Sequence, residues 1–226
     1  MSWNEWVRTA EIEPSLYAAD FARLGEQIET LMAAGTRIFH FDVGDGHFVE
    51  PITIGPIVLK SISPIVHHHG GALDCHLMVE SPERHFRQIA EAGGDSVTVH
   101  YEACDDLLGV IGQARELGLG VGVAFNPESE PDDVVGAAGG LADLVLCMSI
   151  HPGYSGQAFM PEAIPRVRRL CEQLPEGVHV QVDGGIGPDN ASALREAGAN
   201  LLVAGTSIFG QEDITAAYRS LAQAIS

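Results

Sequence analysis

Apolar and polar positions along this chain fall into two alternating rhythms. Short runs that are continuously apolar, or that alternate with period two, read as strands, and longer runs with a period near 3.6 read as helices. In order, the pairs are Glu11–Pro14 with Phe21–Ala33, Arg37–Val43 with Pro56–Ser61, Leu73–Leu77 with Ser81–Ala92, and Ser96–His100 with Asp105–Leu117. They continue with Leu119–Phe125 and Pro131–Ala138, Leu144–Ile150 and Pro165–Gln173, Val178–Asp183 and Pro188–Ala197, and Leu201–Ala204 and Ile214–Ile225. Helix ends are marked by an expected N-cap at Ser81 before Pro82 and by the glycine stops Ala34-Gly35, Ala92-Gly93 and Ala197-Gly198. Eight β/α units without a linker predict an α/β fold, a single closed (β/α)8 TIM barrel over residues 1–226, with residues 1–10 as an N-terminal extension. An open, doubly wound sheet is the structural alternative. Either arrangement places ligand-binding groups at the C-terminal ends of strands.

That rule directs attention to IFHFDVGDGHF, residues 38–48. Alternation puts His40 and Asp42 on one face of a strand expected to be half-buried, opposite Phe39, Phe41 and Val43, and Gly44 and Gly46 then turn the chain. The polar face either meets water or binds something. His76 ends the third strand and Asp183 the seventh, so two imidazoles and two carboxylates converge at one end of the barrel. Burying two carboxylates without a counter-charge costs several kcal/mol per ion. A divalent cation removes that cost, and mixed nitrogen and oxygen donors suit zinc, iron, manganese or cobalt, one ion per chain.

Composition narrows the remaining choices. A chain of 226 residues that is 46% hydrophobic is globular. Its formal charge of −19, with 31 acidic residues against 12 Lys and Arg, argues against a nucleic-acid backbone as partner. The longest basic cluster, Arg166 to Arg169, reads as a solvated helix face. With neither a signal segment nor a membrane-length apolar run, a cytoplasmic protein without a membrane partner is expected. The four cysteines have no CxxC spacing, so neither a disulfide framework nor a thiolate metal site follows. Lys60 is the only lysine, and it lies in a helical segment, which argues against Schiff-base chemistry.

Several motifs together resemble the ribulose-phosphate 3-epimerase family. They are Glu13-Pro14-Ser15-Leu16, His40-Phe41-Asp42-Val43, Asp45-Gly46-His47-Phe48, Cys75-His76-Leu77-Met78, Met148 to Gly153, Gly156-Gln157 and Val182 to Ile186. The similarity runs from about Ile12 to Gly210. It implies a barrel of the ribulose-phosphate-binding type and a homo-oligomer that takes part in the pentose-phosphate pathway. It also implies that His40, Asp42, His76 and Asp183 hold the metal, that Asp42 and Asp183 double as acid and base, and that Ser15, His76, Met78 and Met148 lie by the substrate. The expected reaction is a metal-dependent epimerisation at carbon 3 that interconverts D-ribulose 5-phosphate and D-xylulose 5-phosphate. One carboxylate works on each face of the carbon, and the metal stabilises an enediolate.

An acidic protein must hold a phosphate locally, with backbone N–H groups. Gly184-Gly185 after the seventh strand, Gly205-Thr206 after the eighth, and the segment Pro152 to Gln157 with Gly153 and Gly156 are the candidates, the last also as a lid. The triplet His67 to His69 reads as a solvated loop. His100 reads as either pocket wall or core, and Asp45 and His47 as residues that fix the loop after the second strand. Three positions depart from the family pattern: Gly44 where a third methionine is usual, Pro51 for asparagine, and Glu13 for a small residue. Gly44 is expected to leave an empty volume at the mouth unless Tyr17 or Tyr154 fills it, which would relax discrimination against a six-carbon ketose phosphate such as allulose 6-phosphate. The rival readings are that related epimerase, a non-catalytic sugar-phosphate-binding barrel, and a metal-free phosphate barrel, the last disfavoured by His40 with His76.

Overall fold

The computed structural model describes residues 3–138 and 140–226. Eight strands form one parallel sheet: β1 (Glu11–Pro14), β2 (Ile38–Gly44), β3 (Ala72–Met78), β4 (Ser96–His100), β5 (Gly120–Phe125), β6 (Leu144–Met148), β7 (His179–Asp183) and β8 (Leu201–Ala204). Each pairs with the next from β2 to β8, β8 pairs with β1, and a single bridge between Ser15 and His40 brings β1 against β2. Helices follow the strands, as right-handed crossovers require, and the result is the expected (β/α)8 barrel. Among the described residues no helix is long and apolar enough to cross a membrane.

The strands are buried on both faces, because the closed sheet has an interior as well as a helix-covered exterior. Phe39, Phe41 and Val43 point outward into the core shared with the helices. His40 and Asp42 point into the barrel, so the half-buried strand expected for this segment is buried throughout, at 0% and 5% exposure for the two polar residues. The register sets His40 beside Asp74 and Asp42 beside His76. The barrel interior is apolar at the bottom, where Ile38, Ala72, Leu144 and Leu201 meet Trp3, Trp6 and Val7. The expected N-terminal extension over residues 1–10 begins outside the described residues. From Trp3 on, it is a short helix, Trp3–Trp6, whose Trp3 ring lies against Gly120 and His179 at the starts of β5 and β7. Arg37 holds it by donating to the carbonyls of Trp6 and Glu5.

The observed elements correct several expectations. The helix opening at Pro56 runs through Pro64 to His68, well past Ser61. His67 and His68 therefore close a helix instead of lying in a loop, and His67 pairs with Asp95 at 2.9 Å. The segment 81–92 is split into a 3-10 turn, Pro82–Arg84, and a helix, Phe86–Glu91. Ser81 is no N-cap: it takes a left-handed φ of 50° and its side chain makes no cap bond. A helix absent from the expectation, Thr206–Phe209, follows β8 directly. The glycine stops at Gly35, Gly93 and Gly198 hold, each with a positive φ that disfavours a side chain.

Candidate active site

The C-terminal end of the barrel brings together the four groups that the strand-end rule selects. Strand β2 supplies His40 and Asp42, β3 supplies His76, and β7 supplies Asp183, and one ligand atom from each lies within 4.8 Å of the others. His40 Nε2 is 3.2 Å from Asp42 Oδ1 and 4.0 Å from Asp183 Oδ2. His76 Nδ1 is 3.1 Å and 3.8 Å from the same two oxygens. Two atoms each about 2.1 Å from one cation at tetrahedral angles stand about 3.4 Å apart, so these separations suit a shared ion. His40 Nε2 is moreover buried without a well-formed hydrogen bond. The donor set, two nitrogens and two carboxylate oxygens, can hold a divalent metal.

Local hydrogen bonds fix these side chains. The Ser15 hydroxyl donates to Asp42 Oδ2 at 2.7 Å across the β1/β2 seam. The Ser149 hydroxyl and N–H donate to the Asp183 carbonyl, and the same hydroxyl also reaches the Gly184 carbonyl, so the end of β6 is stapled to the end of β7. Beneath the cluster lies a polar layer of which the sequence singled out only Glu13, as a departure from the family pattern. Asp74 Oδ2 faces His40 Nδ1 at 3.3 Å, Glu13 Oε2 faces it at 3.8 Å, and the Gln181 amide donates to both carboxylates. Ser96 and Thr98 donate to the other Asp74 oxygen. Period-two alternation already placed Asp74 on the face of His76, and that signal could have found it. His100 is fully buried and lies outside the pocket wall, with its Nε2 2.8 Å from His76 Nε2.

Electrostatics divide the two aspartates. Burial opposes an anion at Asp42, but the adjacent His40 and His76 outweigh it and hold that carboxyl well below the usual range. Burial and the charge of Asp42 together push Asp183 up to about 7. At His40, burial is outweighed by Asp42, Asp74 and Glu13, which hold the imidazole pKa well above its ordinary value. Two carboxyls driven apart in this way are suited to act as a base and an acid.

Above the cluster opens a cavity of about 520 Å³, including its mouth. Ser15, Asp42, Met78, Met148, Gly153, Gly156, Asp183, Gly184, Gly185, Gly205 and Thr206 line it, together with Tyr17, Tyr154, Ser155, Ile150 and Ile186. His76 stands behind this wall, fully buried. Gly184 and Gly185 take positive φ, and a Cβ at either would strike Ile150 or the Phe159 backbone. At the start of the Thr206–Phe209 helix, the first intrahelical donor is Ile208 N–H to the Gly205 carbonyl.

The loop after β2 differs from expectation. Asp45 does fix it, accepting the N–H groups of His47, Phe48 and Glu80. Thr53 folds back on the strand end, accepting from Gly44 N–H and donating to the Asp42 carbonyl. The volume beside Gly44 is consequently filled, and not by Tyr17 or Tyr154. A Cβ there would lie 2.9 Å from the Pro51 carbonyl and 3.0 Å from Val49 Cγ2.

Comparison with known proteins agrees with this geometry. The sequence model described as the ribulose-phosphate 3 epimerase family matches residues 11–209. The ribulose-phosphate 3-epimerase of Bacillus subtilis is 39% identical over 207 residues, covering 90% of this chain and 94% of that protein. The enzyme of the same name from Synechocystis is 41% identical over 203 residues, covering 88% and 86%. Among solved structures, the 3-hexulose-6-phosphate synthase of Salmonella typhimurium superposes with a TM-score of 0.72 at 17% identity, covering 95% of this chain and 98% of that one, a likeness of fold.

Proposed function

Because the chain belongs to the ribulose-phosphate 3-epimerase family and is an isomerase-class enzyme, we propose that it interconverts D-ribulose 5-phosphate and D-xylulose 5-phosphate by proton transfer between Asp42 and Asp183. The observation that carries this reading is the convergence of Asp42 and Asp183 on His40 and His76, one ligand atom from each within 4.8 Å of the others, with both aspartates lining the cavity above. His40, Asp42, His76 and Asp183 would hold one divalent cation. When bound, that ion supplies Lewis-acid stabilisation of the negative charge that builds on the substrate oxygens as carbon 3 loses its proton.

The protein groups do the rest. The ionised aspartate removes the proton from one face of carbon 3, and the protonated one returns a proton to the other face; their roles exchange in the reverse direction. Ser15 keeps the Asp42 carboxylate aimed by its hydrogen bond. Met78 and Met148 make an apolar wall that excludes water from the developing charge. The phosphate would rest on backbone N–H groups of the Gly184-Gly185 turn and of Gly205-Thr206, under the loop of Gly153 and Gly156. With Val49 and Pro51 filling the space beside Gly44, the reason to expect weak discrimination against a six-carbon substrate is gone, and the pentulose phosphate is the preferred reading.

The test pairs metal analysis with an epimerase assay on ribulose 5-phosphate. We expect about one divalent ion per chain, loss of activity on chelation, and recovery when metal is restored. Full activity in metal-stripped protein would contradict the proposal.

A further inference from the structure

Strand β4 ends at His100, and the 3-10 turn Tyr101–Ala103 that follows it carries Glu102; the proposed reaction uses neither. His100 lies with its ring 5.0 Å from that of His76 at an interplanar angle of 22°, and the contact between the rings is nitrogen to nitrogen, Nε2 to Nε2 at 2.8 Å. A hydrogen bond between two such nitrogens requires that one carry a proton and the other a bare lone pair. The distance alone does not say which. The answer comes from the far side of His100, where Nδ1 faces Glu102 Oε2 at 3.4 Å. The other oxygen, Oε1, accepts the N–H of Asn126 and the hydroxyl of Ser129.

We infer that Glu102 acts through His100 as a positioning residue that fixes the tautomer of His76 and so keeps the His76 Nδ1 lone pair aimed at the cation site. A carboxylate only accepts, so His100 must donate to it from Nδ1–H. His100 Nε2 is then the bare nitrogen, and it accepts from His76 Nε2–H. His76 in turn has its one lone pair on Nδ1, the atom that faces Asp42 and Asp183. Reversing any link reverses all of them, and a proton on His76 Nδ1 would block the nitrogen that the cation needs. The inference rests on the cation reading given above. It extends it by making the ligand competence of His76 depend on a carboxylate that reaches it only through His100. Phe48, from the fixed loop after β2, packs its ring 4.7 Å from that of His100 and closes the relay against solvent.

Glu102→Gln tests the logic sharply. The Asn126 N–H still requires an acceptor, so the amide oxygen takes the Oε1 position and the amide NH2 turns toward His100 Nδ1. Two donors then meet, His100 moves its proton to Nε2, and His76 is driven to carry its proton on Nδ1. Zinc affinity of the full chain, measured by competition with a chelator, should fall about 10–100-fold in this variant. Independently of any variant, nitrogen-15 NMR of the histidines in zinc-loaded wild-type protein should show His100 protonated at Nδ1 and bare at Nε2, with His76 protonated at Nε2. A wild-type His100 protonated at Nε2, or an unchanged zinc affinity in Glu102→Gln, would overturn the inference while leaving the cation site standing. Zinc that leaves the His40 and His76 resonances unmoved would overturn the cation reading and this inference with it.

Discussion

Glu13 places a carboxyl in the barrel interior with 0% exposure, one oxygen accepting from Gln181 and the other, Oε1, without a hydrogen-bond partner. Burial, opposed by its contacts to His40 and Gln181 and reinforced by the charge of Asp74, raises its pKa to about 7. A carboxyl whose folded-state pKa lies above its unfolded value holds its proton more tightly in the native protein. Its contribution to stability is therefore complete below the unfolded pKa of about 4.3 and is lost as pH rises through about 7. Glu13→Gln should remove that loss: above pH 8 the variant should be more stable to urea by up to about 3 kcal/mol, and the difference should vanish near pH 4. Equal stability of the two proteins at every pH would mean that the charged form is compensated by a partner. At this scale the sequence was partly legible. Alternation showed which side chains share a face, and so found His40, Asp42 and His76. It could not show that Glu13, Asp74 and Gln181, from three distant strands, meet beneath them, because that depends on how the closed sheet brings β1, β3 and β7 across the interior.

Strand β2 and its loop act as one element. Gly44 ends the strand, Thr53 is hydrogen-bonded to both Gly44 N–H and the Asp42 carbonyl, and Val49 and Pro51 lie over the glycine. A methionine at position 44 would have to displace the Pro51 carbonyl, which is backbone and cannot swing aside. Gly44→Met should therefore cost about 1–3 kcal/mol of stability by overpacking, read by urea denaturation, and should weaken catalysis by pulling on Asp42 through Thr53. A variant as stable as wild type would show that the loop has room to give. The sequence suggested an empty volume here because it identifies a missing side chain but not a neighbouring loop that folds back over the position. Strand limits were the most legible feature, with Glu11–Pro14, Ser96–His100 and Leu201–Ala204 as expected, since a strand buried on both faces is an unbroken apolar or alternating run with abrupt ends.

Over the whole molecule, a formal charge of −19 makes self-repulsion a standing cost to the compact state. Screening shortens from about 10 Å at 0.1 M salt to about 3 Å at 1 M, so sodium chloride should relieve it. The melting temperature should rise by several degrees between about 0.05 M and about 1 M, and a flat or falling profile would mean that the surface carboxylates are already compensated by local pairs. On the proposed reading, the same charge is the reason an anionic substrate would be held by backbone N–H groups at the mouth of the barrel, close to Asp42 and Asp183. The account's central claim, two carboxyls on opposite faces of one carbon, is tested most directly by running the reaction in heavy water. Product formed from ribulose 5-phosphate should carry solvent deuterium at the inverted carbon, because the proton taken by one aspartate is not the one returned by the other, and Asp42→Asn and Asp183→Asn should each abolish turnover in a folded chain. Product free of solvent deuterium, or near wild-type turnover in either variant, would contradict it.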